Sequence, residues 1–223
     1  MKKRHGLAGL VVALALAGPA RAEGKQITWT ASNSPPFMMT EGEERNTGIF
    51  DRIRRLLSER MTGYTHSTLV VPFPRILASL KSGEEWCFVG GVKTPEREGF
   101  AVFSRPVAMF NPLRIVVRAA DRARFAALGE LSLRDLLTDH RSLRTSVLRN
   151  RAIAPAVDAL FRQHPPGQIH SEFGEAFRML LNDRLDYLVE YSSSMIYFAR
   201  QLGQPGAFVG LPFAEGPETV FAR

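Results

Sequence analysis

The sequence has little of what several protein classes require. Its single cysteine, Cys87, excludes an internal disulfide, and no two histidines show the spacing of metal ligands. The Gly-x-Ser-x-Gly elbow of serine hydrolases is absent. Beyond the N-terminus, no apolar run approaches the roughly 20 residues that span a bilayer. We therefore expect neither a metal nor a cofactor, and Cys87 is expected to be a small buried side chain, with a reactive thiol as the alternative.

The N-terminus has the pattern of an export signal. Basic residues at positions 2–4 precede an apolar run from Leu7 to Ala17, and Ala20-Arg21-Ala22 places small residues where a signal peptidase reads them. This pattern predicts a signal peptide over residues 1–22, cleavage after Ala22 and a periplasmic protein. An uncleaved membrane anchor is the alternative, although no cysteine for lipidation follows the apolar run.

Charge argues against a nucleic-acid partner. Removing the signal peptide lowers the formal charge from +7 to +3, because Lys2, Lys3, Arg4 and Arg21 leave with it. The remaining basic residues alternate with acidic ones and form no basic stripe. We expect a monomer that meets a small-molecule ligand instead.

Apolar periodicity predicts two α/β units. In the first, strands at 27–30, 68–71 and 86–89 alternate with helices at 49–61 and 74–80, and this order implies a parallel sheet covered by helices. A further strand at 113–117 leads into a surface connection at 118–124.

The second unit repeats the alternation. Ser132 and Asp135 resemble a helix cap, and strands and helices follow up to a strand at 208–211. We assign lobe 1 to residues 23–113, lobe 2 to 114–216 and a return strand to 217–223. A ligand is expected in the cleft between two such lobes, at the carboxyl ends of strands.

The segment from Gly90 to Glu98 carries the strongest local signal. Two glycines at the end of a strand let backbone N–H groups approach a ligand, and Thr94 can cap a turn that begins at Pro95. Arg97 then offers a planar fork to a carboxylate. The alternative is an exposed ion pair between Arg97 and Glu96 or Glu98.

Five motifs, in order, resemble those of the family 3 extracellular solute-binding proteins, which are the polar amino-acid receptors of ABC importers. They are Ser34-Pro35-Pro36-Phe37, Gly48-Ile49-Phe50-Asp51, Phe73 to Gly83, the pair Thr94-Pro95-Glu96-Arg97 and Phe103-Ser104-Arg105-Pro106, and Asn182-Asp183-Arg184-Leu185-Asp186. The resemblance covers nearly the whole mature chain. It implies a two-lobed periplasmic-binding-protein-like α/β fold of type II, with an ABC-importer permease as partner and no catalytic residues.

The resemblance also implies a role for individual positions. Arg97 would grip the ligand carboxylate, helped by backbone N–H groups at Gly90 and Val92, and the loop Asn150-Arg151-Ala152 would aim a helix N-terminus at the same group. Ser34, Phe37 and Phe73 would wall the cleft. Ordinary core packing is the alternative for Phe37 and Phe73.

Three departures weaken an α-amino-acid assignment. The family's acid for the ligand ammonium falls at Tyr191, with Glu190 one step earlier, and an alternating strand would point these two to opposite sides. The family's hydroxyl near the glycines falls at Val92. Arg149 and Arg151 add positive charge, unless they are surface residues. The ligand is therefore expected to be an amino acid or a related small carboxylate.

The C-terminus is a further departure. Family members continue with a segment that packs on the first lobe, whereas this sequence stops at Arg223. Either the sequence is a fragment or the first lobe lacks that cover, which would leave an apolar sheet face open.

Two other functions stay open at this stage. One is a periplasmic enzyme of the dehydratase or lyase kind on the same scaffold, for which Glu190 and His170 are the candidate acid–base residues. The other is a sensory or accessory module that binds a ligand without transport. Fold alone does not separate these three functions.

Overall fold

A computed structural model describes residues 25–217 and 219–223, where ten strands and eight α-helices form two α/β lobes. The predicted signal peptide lies outside these residues. The strands are Gln26–Ala31 (β1), Thr65–Val70 (β2), Trp86–Phe88 (β3), Ala108–Met109 (β4), Leu113–Arg118 (β5), Ser146–Leu148 (β6), Gln168–His170 (β7), Leu188–Tyr191 (β8), Phe208–Leu211 (β9) and Phe221–Ala222 (β10). The helices are Ile49–Arg60 (α1), Phe73–Lys81 (α2), Pro95–Glu98 (α3), Arg122–Ala126 (α4), Leu133–Thr138 (α5), Pro155–Gln163 (α6), Phe173–Leu181 (α7) and Ser192–Gln201 (α8). Within the described ranges, every helix is too short or too polar to span a bilayer.

The first lobe contains the predicted parallel sheet. Its strand order is β2-β1-β3, and Trp29 of β1 lies opposite Thr68 on one side and Cys87 on the other. The two crossovers are α1 and α2, so this part of the chain is the βαβαβ unit that the apolar periodicity predicts.

The second lobe has the predicted alternation of strands and helices, but its main sheet differs from that of the first. Its main sheet has the order β8-β5-β9, and both outer strands run antiparallel to β5. The parallel pair β6-β7 forms beside it. Leu113 at the start of β5 lies opposite Tyr191 at the end of β8, so β8 ends where the chain enters the second lobe.

Two short strands link the end of the chain to the first lobe. β10 pairs antiparallel with β4, and Ala222 forms an isolated bridge with Val92. Ser132 caps α5 through the N–H of Asp135, as expected from the sequence.

The segment after β5 is largely exposed, as expected of a surface connection, and Ala119–Asp121 forms a 3-10 turn there that continues into α4. One local prediction is wrong. Cys87 is exposed rather than buried, because it lies on β3, whose pairing within the described residues is with β1 alone. Leu69 and Val70 of β2, which point to opposite faces of the sheet, are also exposed.

Buried apolar side chains of both lobes form one continuous cluster. It extends from Trp29 and Phe50 in the first lobe to Val157 and Tyr191 in the second. The two lobes are therefore in contact across the cleft.

Candidate functional site

A cavity of about 70 Å³ lies between the lobes. Seven of its sixteen lining residues are aromatic, and its charged side chains are two arginines. The lining residues are Ser32, Ser34, Phe37, Met38, Phe50, Phe73, Phe88, Gly90, Gly91, Val92, Arg97, Phe110, Arg151, Ala152, Phe173 and Tyr191. Several follow the carboxyl ends of β1, β3 and β8, which is where open α/β sheets place their ligands.

The local sequence around α3 positions Arg97. The Arg97 N–H donates to Oγ1 of Thr94, the N-cap, at 3.3 Å, and Pro95 begins the turn. The Arg97 side chain then points inward, and the residue is only 8% exposed. Its Nη1 donates to the carbonyl oxygen of Val92 at 2.9 Å and its Nη2 to that of Asn150 at 3.5 Å, so the guanidinium bridges the two lobes.

No carboxylate in the described residues forms an ion pair with Arg97. Glu96 pairs with Lys81 at 2.8 Å and Glu98 pairs with Lys93 at 2.6 Å, so the alternative of an exposed pair with Arg97 is wrong. Burial lowers the pKa of Arg97, and more distant carboxylates act in the opposite direction. A buried cation without a paired anion is costly, and an anionic ligand would remove that cost.

Arg151 has a different environment, because it forms a buried ion pair with Glu190. Nη1 and Nη2 of Arg151 contact the Glu190 carboxylate, and the Tyr191 N–H donates to Glu190 Oε2 at 3.0 Å. The Arg151 guanidinium also faces the rings of Phe173 at 4.9 Å and Tyr191 at 5.7 Å. Arg151 is thus not a surface charge, whereas Arg149 is exposed.

The loop that carries Phe37 is tied to the start of α1. Asp51 is buried, and its Oδ2 accepts the N–H of Met39 at 2.8 Å and that of Gly48 at 3.2 Å. A Cβ at Gly48 would lie 2.4 Å from the carbonyl oxygen of Phe37, so only glycine fits there. Phe37 consequently packs on Phe50, Phe110 and Tyr191 and joins both lobes at the cavity.

The backbone of Gly90 does not point its donor at the cavity. The N–H groups of Gly90 and Gly91 both donate to the carbonyl oxygen of Arg223, at 2.7 and 3.0 Å. The expected hydrogen bond from the Gly90 N–H to a ligand is therefore wrong, because this N–H donates to the Arg223 carbonyl oxygen instead. Gly90 serves packing instead, since a Cβ there would lie 2.3 Å from the Phe50 ring.

We expect Gly90→Ala to lower the free energy of unfolding by about 2–4 kcal/mol, because it combines backbone strain with a steric clash. Gly83→Ala is the matched control, since Gly83 has φ +92° against +95° at Gly90 but open space around its Cβ position. Urea unfolding of both variants separates the cost of backbone strain, which both share, from the cost of the clash with Phe50, which only Gly90→Ala has. Equal losses in the two variants would mean that the contact with Phe50 is unimportant.

The candidate acid–base residues lie behind the cavity wall. Glu190 and His170 line a separate space of about 10 Å³, which is too small for a substrate, and His170 Nδ1 is 2.8 Å from Ser146 Oγ. Tyr191 faces the main cavity and Glu190 the space behind it, as the strand alternation predicts. Within the described residues, no group of three or more His, Cys, Asp or Glu could hold a metal ion.

Burial lowers the pKa of His170 to about 4, with Arg151 acting in the same direction and Glu190 and Glu175 opposing it. Between this value and the ordinary pKa of about 6.5, the unfolded chain binds the extra proton. Stability should therefore fall by up to about 1.4 kcal/mol per pH unit as the pH is lowered through this interval. Urea unfolding of the wild type and His170→Asn at about pH 7 and about pH 5 tests this, and parallel losses in both proteins would contradict it.

The structure brings most of the predicted binding residues together. Nine line the cavity, and two stand just outside it. Asn150 contributes its carbonyl oxygen to Arg97, and Glu190 holds Arg151. No residue of α6 lines the cavity, and Asp158 in its first turn accepts the Ile153 N–H, so the expected helix N-terminus does not face a ligand.

Sequence reasoning missed several aromatic residues of the wall. Phe50, Phe88, Phe110 and Phe173 line the cavity, and each lies at or near the end of a strand or the start of a helix. Large apolar side chains at the carboxyl ends of strands are the signal that could have identified some of them. Phe173 also lines an outer groove of about 600 Å³ between the lobes, together with Phe73 and Ser32.

Solved structures share this architecture. A histidine kinase sensor domain with similarity to periplasmic binding proteins has 17% identity and a TM-score of 0.70, covering 91% of this chain and 82% of its own. An ancestral arginine-binding protein bound to arginine has 20% identity and a TM-score of 0.64, covering 90% and 84%. The periplasmic VFT2 domain of Bordetella pertussis BvgS has 23% identity and a TM-score of 0.61, covering 89% and 78%.

At these identities the likeness shows the fold, which is the two-lobed periplasmic-binding-protein-like fold expected from the sequence. No family model and no curated protein matches the sequence.

Proposed function

We propose that this chain is a periplasmic solute-binding protein that encloses a small carboxylate-bearing ligand between its lobes. The buried guanidinium of Arg97 carries the proposal, because it lines the cavity without a paired anion in the described residues. A ligand carboxylate could accept charge-assisted hydrogen bonds from the donors that Val92 and Asn150 leave free. Aromatic rings would cover the rest of the ligand.

Lobe closure would be the response to ligand. Arg97 belongs to the first lobe and reaches the Asn150 carbonyl oxygen in the second, so a ligand held at Arg97 favours the closed arrangement by its contacts with both. In this proposal the mature protein is a periplasmic monomer, and an ABC-importer permease recognises its closed form. The export pattern of residues 1–22 and the fold support this assignment.

A sensory role is the second candidate, favoured by the likeness to a histidine kinase sensor domain. Uptake of a labelled ligand by cells with and without the gene separates the two roles. Loss of uptake supports import, and unchanged uptake with a lost transcriptional response supports sensing.

A comparison of acids with their uncharged amides tests the proposed function. We expect small carboxylates to raise the melting temperature of the mature protein, whereas amides of the same shape should not, because only the acid neutralises Arg97. Sodium chloride at equal ionic strength is the control. Equal stabilisation by acid and amide would contradict a carboxylate site.

A further inference from the structure

The cavity wall carries positive charge and no carboxylate. Its charged side chains are Arg97 and Arg151, and no Asp or Glu is among the described residues that line it. The remaining polar side chains are the hydroxyl groups of Ser32, Ser34 and Tyr191. A ligand ammonium enclosed there would lose its water without meeting an anion, and an unpaired buried charge is costly.

Glu190 lies beside the cavity, and its carboxylate is already paired with Arg151. Arg151 contacts both of its oxygens, and the Tyr191 N–H donates to one of them at 3.0 Å. Glu190 also faces the small space behind the wall rather than the cavity. It could accept a ligand ammonium only if the buried ion pair broke.

Two further acids act on Arg97 from a distance, and neither forms an ion pair with it. Asp158 accepts the Ile153 N–H at 3.0 and 3.2 Å, and burial raises the pKa of its carboxyl, opposed by that hydrogen bond and by Arg162, Arg151 and Arg97. Glu96 is exposed and pairs with Lys81. Among the described residues around the cavity, Arg97 is therefore a buried positive charge without an ion pair.

We propose that the cavity selects small monocarboxylates without an ammonium group, such as short aliphatic acids and their 2-hydroxy derivatives, over α-amino acids. This inference rests on the proposed function, since it requires a carboxylate at Arg97. A monoanion balances that charge, whereas a zwitterion brings a cation that the wall cannot neutralise.

The size and surface of the cavity limit the rest of the ligand. A cavity of about 70 Å³ accommodates about five water centres at roughly 10–15 Å³ each, which corresponds to a ligand of about four to seven heavy atoms. Phe37, Phe50 and Phe110 form an apolar wall around this space. A short hydrocarbon chain fits such a wall better than a second polar group.

Isothermal titration with three matched ligands tests the selectivity. The ligands are butanoate, 2-hydroxybutanoate and L-2-aminobutanoate, which share a carbon chain and differ at one position. We expect butanoate and 2-hydroxybutanoate to bind within about tenfold of each other and 2-aminobutanoate at least about 100-fold more weakly. The hydroxy acid controls for size, so a difference between it and the amino acid reports charge. Glycine betaine tests whether the aromatic wall instead holds a quaternary cation.

The titrations are repeated with Arg97→Met. Binding of 2-aminobutanoate or betaine as tight as that of butanoate, and lost in Arg97→Met, would overturn the selectivity and leave the carboxylate site intact. If no member of the series binds, or if binding survives in Arg97→Met, the proposed function itself is wrong and the inference falls with it.

Discussion

We expect Arg97→Met to weaken ligand binding by at least about 30-fold while leaving the ligand-free protein as stable as the wild type. The guanidinium is buried and donates to two carbonyl oxygens, but no carboxylate pairs with it in the described residues. Methionine keeps most of the apolar volume and removes a desolvated charge. The substitution should therefore weaken binding without lowering stability, as is common for binding residues that do not stabilise the fold.

Titration calorimetry with the most stabilising carboxylate measures the first effect, and thermal melts without ligand measure the second. Arg55→Met is the matched control, because Arg55 is exposed on α1. The melting temperature of Arg97→Met should stay within about 3 °C of the wild type, since 1 kcal/mol shifts it by roughly 2–4 °C. A larger fall would make Arg97 a structural residue, and unchanged affinity would remove it from the site.

The second large effect is expected at Glu190, where a substitution should lower the stability of the ligand-free protein. Glu190→Gln should lower the free energy of unfolding by about 3–5 kcal/mol, because it leaves the buried Arg151 guanidinium without its anion. Both partners are almost fully buried, so little water can replace the lost charge. Urea unfolding at neutral pH provides the measurement.

Two further variants test the physical cause of that loss. Glu96→Gln removes an acid from the exposed pair with Lys81 and should leave stability unchanged. The double variant Arg151→Met with Glu190→Leu should recover most of the stability, since apolar side chains often replace a buried ion pair without loss. If the double variant is as unstable as Glu190→Gln, packing rather than an unpaired charge explains the effect.

The two arginines show why charge alone did not locate the site in the sequence. Both positions were candidates, and the sequence offered an exposed-pair alternative for Arg97 and a surface alternative for Arg151. Glu190 lies 39 residues from Arg151, and the Asn150 carbonyl oxygen lies 53 residues from Arg97. Partners at such separations are set by strand order, which local patterns do not encode.

The sequence by itself determined the α/β class, the parallel order of the first sheet, the cap at Ser132 and the placement of Arg97 beside a strand end. These features depend on residue periodicity, turn residues and contacts within a few positions of the chain. Only the tertiary structure decided that the second sheet is antiparallel, that the Gly90 N–H donates to Arg223 and that Glu190 forms an ion pair with Arg151. Each of these depends on which distant segments meet when the lobes pack together, and this packing buries Arg97 without an ion pair among the described residues.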